Sequence, residues 1–210
     1  MVDALVRGGG RFAGVAMIDD SHREADLEHM HDAGVRGIRF NFVGHLGGAP
    51  DIDLFWRLVA RVAPHAWHVE LHFDAASLAD HLSLFEDLPV PFIIDHMARV
   101  RAADGTEQEP FQLLLEILSE NSNAWVKISG AERITREGPP YGDVVPFARE
   151  LIETAPDRVL WGTDWPHPNV RRMPDDGDLV DLVADFVPDE KTRDRILVEN
   201  PTRLYDFSDR

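Results

Sequence analysis

The stretch Val159-Leu-Trp-Gly-Thr-Asp-Trp-Pro-His-Pro168 decides how the rest of the chain is read. Apolar residues and a glycine lead into Thr163-Asp164, and two prolines bracket His167. This is the pattern of a short buried strand over 158–162 that emerges and delivers Asp164 and His167 onto a stiff loop. Trp161 and Trp165 flank that loop and are expected to wall the aspartate off from water, a setting in which an acid or base is tunable. An isolated Asp at such a place more simply caps a turn. The reading therefore depends on what the other strands carry.

Outward from this stretch the same unit recurs. Apolar segments at 12–18 (FAGVAMI), 35–41 (VRGIRFN), 67–72, 90–95 and 124–129 read as strands. Helical patterns separate them. Ser21 and Glu24 form a capping box before a helix that runs to about Ala33, with Gly34 as its stop. Further helices are expected over 51–62, 75–86, from Pro110 through FQLLLEILSEN, over 144–155, and near 179–187 and 190–199. A polar loop over 97–109 follows the fourth strand. Alternation of this kind specifies parallel strands joined by helical crossovers. An open doubly wound sheet would put a Gly-rich phosphate turn after an early strand, whereas Gly8-Gly9-Gly10 precedes its strand. The remaining architecture is a (β/α)8 barrel, here a single domain over 1–210 with six βα units.

In parallel α/β folds the chemistry lies beyond the carboxyl ends of the strands. Those ends carry Arg39 and Asn41, then His72, then Asp95, His96 and Arg99. Lys127, Ser129 and Arg133 come next, then Thr163, Asp164 and His167. The strand starts are Val, Trp, Val, Ala and Arg, so ionisable groups gather at one end and mark a site. Plainer roles exist for each. His96 could be satisfied by a backbone carbonyl, and His72 could share a buried polar network with His68 and Glu70 on one strand face. Lys127 could pair with a neighbouring acid, and Arg99 and Arg133 could be surface arginines.

His29 and His31 are the sole His-x-His, but they fall in a helix, where residues two apart diverge. His22, His65 and His81 read as solvated. No Gly-x-Ser-x-Gly, P-loop or His-Glu-x-x-His occurs. A formal charge of −17 argues against nucleic acid or an anionic membrane as partner, yet arginines focused in a cleft can still attract a small anion. There are no cysteines, no run of 18 apolar residues and no secretion pattern at the N-terminus, so a cytoplasmic protein, homo-oligomeric in one reading, is expected.

The segments GVRGIRFNF, IIDHMAR, WVKISGAERI and VLWGTDWPHP resemble the amidohydrolase-2 group of metal-dependent-hydrolase-like TIM barrels, above all its 2-pyrone-4,6-dicarboxylate and muconolactone or sugar-lactone hydrolases. The resemblance runs from about Gly10 to Tyr205. It implies opening of a carboxylated lactone, with Asp164 as general base for the attacking water and His96 polarising the carbonyl. It also implies that Arg39, Arg99 and Arg133 hold substrate carboxylates, as planar guanidinium forks do well. His167 and His72 are further expected substrate contacts, His72 standing where the pyrone enzymes carry a tyrosine. His45 stands where they offer another basic contact. The family's opening strand, with its His-x-His, has no counterpart here, and Met1 falls just before what would be the third barrel strand. Two alternatives follow: a zinc-dependent decarboxylase or hydrolase using His72 and Asp164, or an inactive remnant. The cofactor expectation is accordingly either none or a divalent metal such as zinc.

Overall fold

The computed structural model describes residues 1–44 and 47–207. Six strands, β1 (Gly14–Ala16), β2 (Val35–Asn41), β3 (His68–His72), β4 (Phe92–Ile94), β5 (Ala124–Lys127) and β6 (Val159–Leu160), form one sheet. Every pairing is parallel, and the spatial order is the chain order, β1 through β6. A doubly wound sheet reverses its strand order at a switch point. This sheet never reverses, so it is an arc of a (β/α)8-type barrel, in agreement with the expectation. β1 and β6 are its two edges.

Around the arc lie α1 (Val2–Gly8), α2 (Glu24–Ala33), α3 (Ile52–Val62), α4 (Leu82–Asp87), α5 (Glu109–Glu120), α6 (Ala131–Ile134), α7 (Val145–Thr154), α8 (Asp176–Phe186), α9 (Glu190–Asp194) and α10 (Asn200–Tyr205). No helix among the described residues is long and apolar enough to cross a membrane. Several local expectations are corrected. α1 was not foreseen. The cap of α2 is Arg23, whose backbone N–H donates to Asp26 at 2.8 Å, so the Ser21–Glu24 box does not form. Residues expected as one helix over 75–86 begin as a 3-10 segment, Ala75–His81, before α4. His65 and His81 are half-buried, His65 3.2 Å from Glu24 and His81 against the rings of Phe42 and Phe73.

Alternation along the strands sorts side chains into two layers. The outward set, including Ile38, Phe40, Val69, Leu71, Phe92, Ile94 and Val126, packs against Phe55, Leu58, Phe111, Phe147 and Leu151 of the helices in one continuous core. The inward set is different. Ile93, Trp125 and Leu160 form a separate apolar cluster sealed by Leu204 and Tyr205. The Tyr205 ring meets His68 edge-on at 5.0 Å, and Arg203 lies over Trp125 at 4.9 Å. Asn200 holds this closing segment down by donating to the carbonyls of Pro156 and Val159. Gly37 is required on the same inner face, because a Cβ there would come within 2.4 Å of the His68 ring. The start of the sheet is thus an apolar plug, and the polar residues are left to the other end.

Candidate active site

Toward the carboxyl ends, the inner face carries four charges that meet one another. Arg39 of β2 contacts Glu70 of β3 at 2.5 Å and Asp95, just after β4, at 2.7 Å. Lys127 of β5 contacts the same two acids at 2.7 and 2.8 Å. The Asp95 contacts are ion pairs. Glu70 and Asp95 are almost wholly buried, so each needs its cations. Burial by itself would lower the Lys127 pKa, but Asp95 and Glu70 override it and raise the value above that of an ordinary lysine. The plain role foreseen for Lys127 is therefore what the structure shows, and Arg39, expected at a substrate carboxylate, is shared with this quartet.

Beyond the quartet the chain leaves β4 in an unusual way. His96, Met97, Ala98 and Arg99 have φ of 50, 51, 53 and 54°, a run of left-handed residues without a glycine. Each costs on the order of 1–2 kcal/mol in this conformation, and such backbone marks sites where placement matters. The turn buries His96 between β3 and β5. Its Nδ1 is 2.8 Å from Ser129 Oγ, and its ring stands perpendicular to His72 at 5.2 Å. Gly130, at φ 71°, leaves room for that ring, since a Cβ would sit 3.1 Å from Nδ1. Burial is the main cause that lowers the His96 pKa to about 3, with Lys127, His72 and Arg39 adding to it and Asp164 opposing. His72 is likewise lowered to about 3, by burial and then by Arg39, Arg99 and Arg133. Both imidazoles are neutral at neutral pH.

Asp164 follows β6 at φ 67° and faces this pair. Its Oδ1 is 3.6 Å from His96 Nε2, and its Oδ2 accepts a short hydrogen bond from Arg133 Nε. Arg133 also donates to the Pro168 carbonyl at 3.1 Å. The expected tryptophan wall is corrected: Trp165 is 74% exposed, and Trp161 packs into the outer core. Arg133 and His96 are the groups that flank the carboxylate instead. Arg39, His72, His96, Arg99, Arg133 and Asp164 then line one cavity of about 380 Å³. Six of the residues singled out from sequence are brought together there.

His167 is not among them. It is 3% exposed, with its two ring nitrogens each 3.3 Å from a carboxylate, Glu132 on one side and Asp176 on the other. The substrate contact expected of it does not fit this placement; it ties the Asp164 loop to α6 and α8. Glu132, missed in the sequence, is buried beside it, and burial raises its pKa. Ser129, read only as a strand-end residue, proves to be the partner of His96. His45 lies outside the described residues.

A divalent metal fits these residues poorly. Among the described residues, no third His, Cys, Asp or Glu joins His72 and Asp164 within ligand spacing. Glu132, Asp164 and His167 do have ligand atoms within 4.8 Å of one another. However, the Arg133 guanidinium already bonds Asp164 and lies 3.8 Å from Glu132, where it supplies the positive charge.

Comparison with known proteins agrees with the barrel arc. The amidohydrolase family pattern matches residues 1–207. The chain belongs to the amidohydrolase family. It is 44% identical over 214 residues to a 2-pyrone-4,6-dicarboxylate hydrolase of Comamonas testosteroni, covering 98% of this chain and 70% of that one. A 4-sulfomuconolactone hydrolase of Hydrogenophaga intermedia is 42% identical over 208 residues, covering 97% of this chain and 68% of the relative. Among solved family structures, a Pseudomonas putida protein described as a 2-pyrone-4,6-dicarboxylic acid hydrolase superposes with a TM-score of 0.85. It is 29% identical and covers 99% of this chain and 76% of that one.

Proposed function

We propose that this amidohydrolase opens the ring of a carboxylated lactone, of the 2-pyrone-4,6-dicarboxylate or muconolactone kind, by attack of water. The observation that carries the reading is Asp164 set 3.6 Å from a neutral, buried His96 on a cavity rimmed by Arg99 and Arg133. Asp164 takes the proton of the attacking water. His96 Nδ1 lies 2.8 Å from Ser129 Oγ; in this reading the hydroxyl is the donor, so the imidazole carries its proton on Nε2 for the lactone carbonyl, where negative charge develops. Arg99 and Arg133 hold a carboxylate of the substrate. Arg133 is bonded to Asp164 before substrate arrives, so a bound carboxylate competes for the guanidinium and frees the base. The relatives named as lactone hydrolases support the same chemistry.

The quartet of Arg39, Glu70, Asp95 and Lys127 serves as a fixed floor under this site. His167 positions the Asp164 loop. The cytoplasm is kept as the compartment on the composition given above, and cell fractionation tests it.

The deciding experiment offers the purified chain 2-pyrone-4,6-dicarboxylate and 4-sulfomuconolactone and follows loss of ring absorbance. Turnover by the native chain should fall about a thousandfold in Asp164→Asn, which should still unfold in one cooperative thermal transition. Equal rates in the two proteins, or no turnover of either lactone, would overturn the reading.

A further inference from the structure

A second cavity, of about 310 Å³, opens beside the first. The two share Arg99, Arg133 and Asn169 as walls. The second adds Arg101, Arg136 and Arg171, so five arginines face it, against the single carboxylate of Glu132. In a chain of formal charge −17 this concentration is out of proportion to the surface as a whole.

The partners of these arginines matter more than their number. Arg99 is paired with Asp74 and Arg101 with Asp104, both at 3.4 Å. Arg133 is committed to Asp164. Arg136 and Arg171 are exposed, and neither has a hydrogen bond or ion pair among the described residues. Acids outnumber bases 38 to 21 in this chain, so cations left unpaired here are a poor match for a merely solvated surface. They present free guanidinium forks at a cavity that shares Arg99, Arg133 and Asn169 with the inner one.

We propose that this cavity is an anion-binding annex of the active site. It receives a second negatively charged group of the substrate, a carboxylate or sulfonate, and Arg136 and Arg171 select dianionic ligands over monoanionic ones. The substrate's reacting ring would sit in the inner cavity over His96 and Asp164, its first carboxylate at the shared Arg99–Arg133 wall, and its second anionic group outward. The proposal rests on the lactonase reading for the identity of the substrate, but selection between charges is measured without turnover.

The test is calorimetric binding of pyridine-2,4-dicarboxylate and pyridine-2-carboxylate at low salt to five proteins. These are the native chain, Arg136→Ala, Arg171→Ala and the double variant, with Arg57→Ala as a control that deletes a distant surface charge. The native chain should prefer the dicarboxylate. The double variant should lose about tenfold or more of its affinity for it, as expected for lost charged hydrogen bonds, while the monocarboxylate changes less than twofold. Arg57→Ala should leave both unchanged. Equal losses for the two ligands would reduce the arginines to general attraction and overturn the proposal, as would an unchanged dicarboxylate affinity or a native chain that binds neither ligand or shows no preference. Normal selectivity without hydrolysis of any lactone would leave the annex standing and overturn the lactonase reading alone.

Discussion

Two groups of arginines and lysines in this molecule share chemistry and differ in every other respect. Arg39 and Lys127 stand on strands, face the inside of the arc, and each touches two buried carboxylates. Arg136 and Arg171 stand on loops, are exposed, and bond nothing among the described residues. The difference is one of obligation. A cation that neutralises a buried acid is held by the fold and cannot be lent to a ligand without exposing the acid it serves. A cation on the rim owes the fold nothing, and its whole interaction energy is available for binding. The active site lies between the two, and Arg133 shares both conditions, because it is bonded to Asp164 but lines both cavities.

The comparison can be broken most directly from the interior. Lys127→Met removes a cation from Glu70 and Asp95 and should cost about 3–5 kcal/mol, read as a shift of the urea midpoint. A loss below 1 kcal/mol would mean that the quartet is not held by mutual need. An effect of comparable size comes from acid. His68, lowered to about 4 chiefly by burial, joins His72 and His96 as a buried neutral imidazole. Such a group binds its proton in the unfolded chain before it does in the folded one. Its contribution is complete above the unfolded pKa near 6.5 and is lost as pH falls from there toward 3–4, by up to about 1.4 kcal/mol per pH unit for each group. The thermal midpoint should therefore drop between pH 7 and 5, and a flat profile would contradict the burial of these rings. Least of all, Arg171→Ala should alter stability by under about 0.5 kcal/mol, since nothing in the fold leans on it. A larger loss would show a hidden structural partner.

Much of this division was legible in the sequence. Apolar runs bounded by polar turns placed all six strands within a few residues, and a parallel fold gathers polar groups at its strand ends, so the residues that line the inner cavity, Arg39, His72, His96, Arg99, Arg133 and Asp164, could be named in advance. What failed has physical causes. Trp165 reads as a wall by its size, but whether a large ring on a loop turns inward is set by the path of the loop, which has no periodicity. His167 looked like a substrate contact by its nearness to Asp164, and only the fold brings Glu132 and Asp176 to its two nitrogens. The role of Lys127 was one of two left open, because its partners sit on other strands. Arg136 and Arg171 were illegible for the opposite reason: an arginine without partners leaves no pattern at all.

The left-handed run from His96 to Arg99 has a consequence for how the site comes into being. Free chains of L-residues avoid this hand, so the turn has no life of its own as a local structure. It persists because His96, Met97 and Ala98 are each almost fully buried against the surrounding sheet. The machinery cannot assemble ahead of the scaffold, nor linger after the scaffold loosens. If the packing above β4 relaxes even briefly, the turn should revert toward ordinary backbone, and its amides should exchange with solvent through openings that leave the outer core intact. Catalytic competence would then be the most fragile property of the molecule, fading under heat or mild denaturant while the strands are still in place.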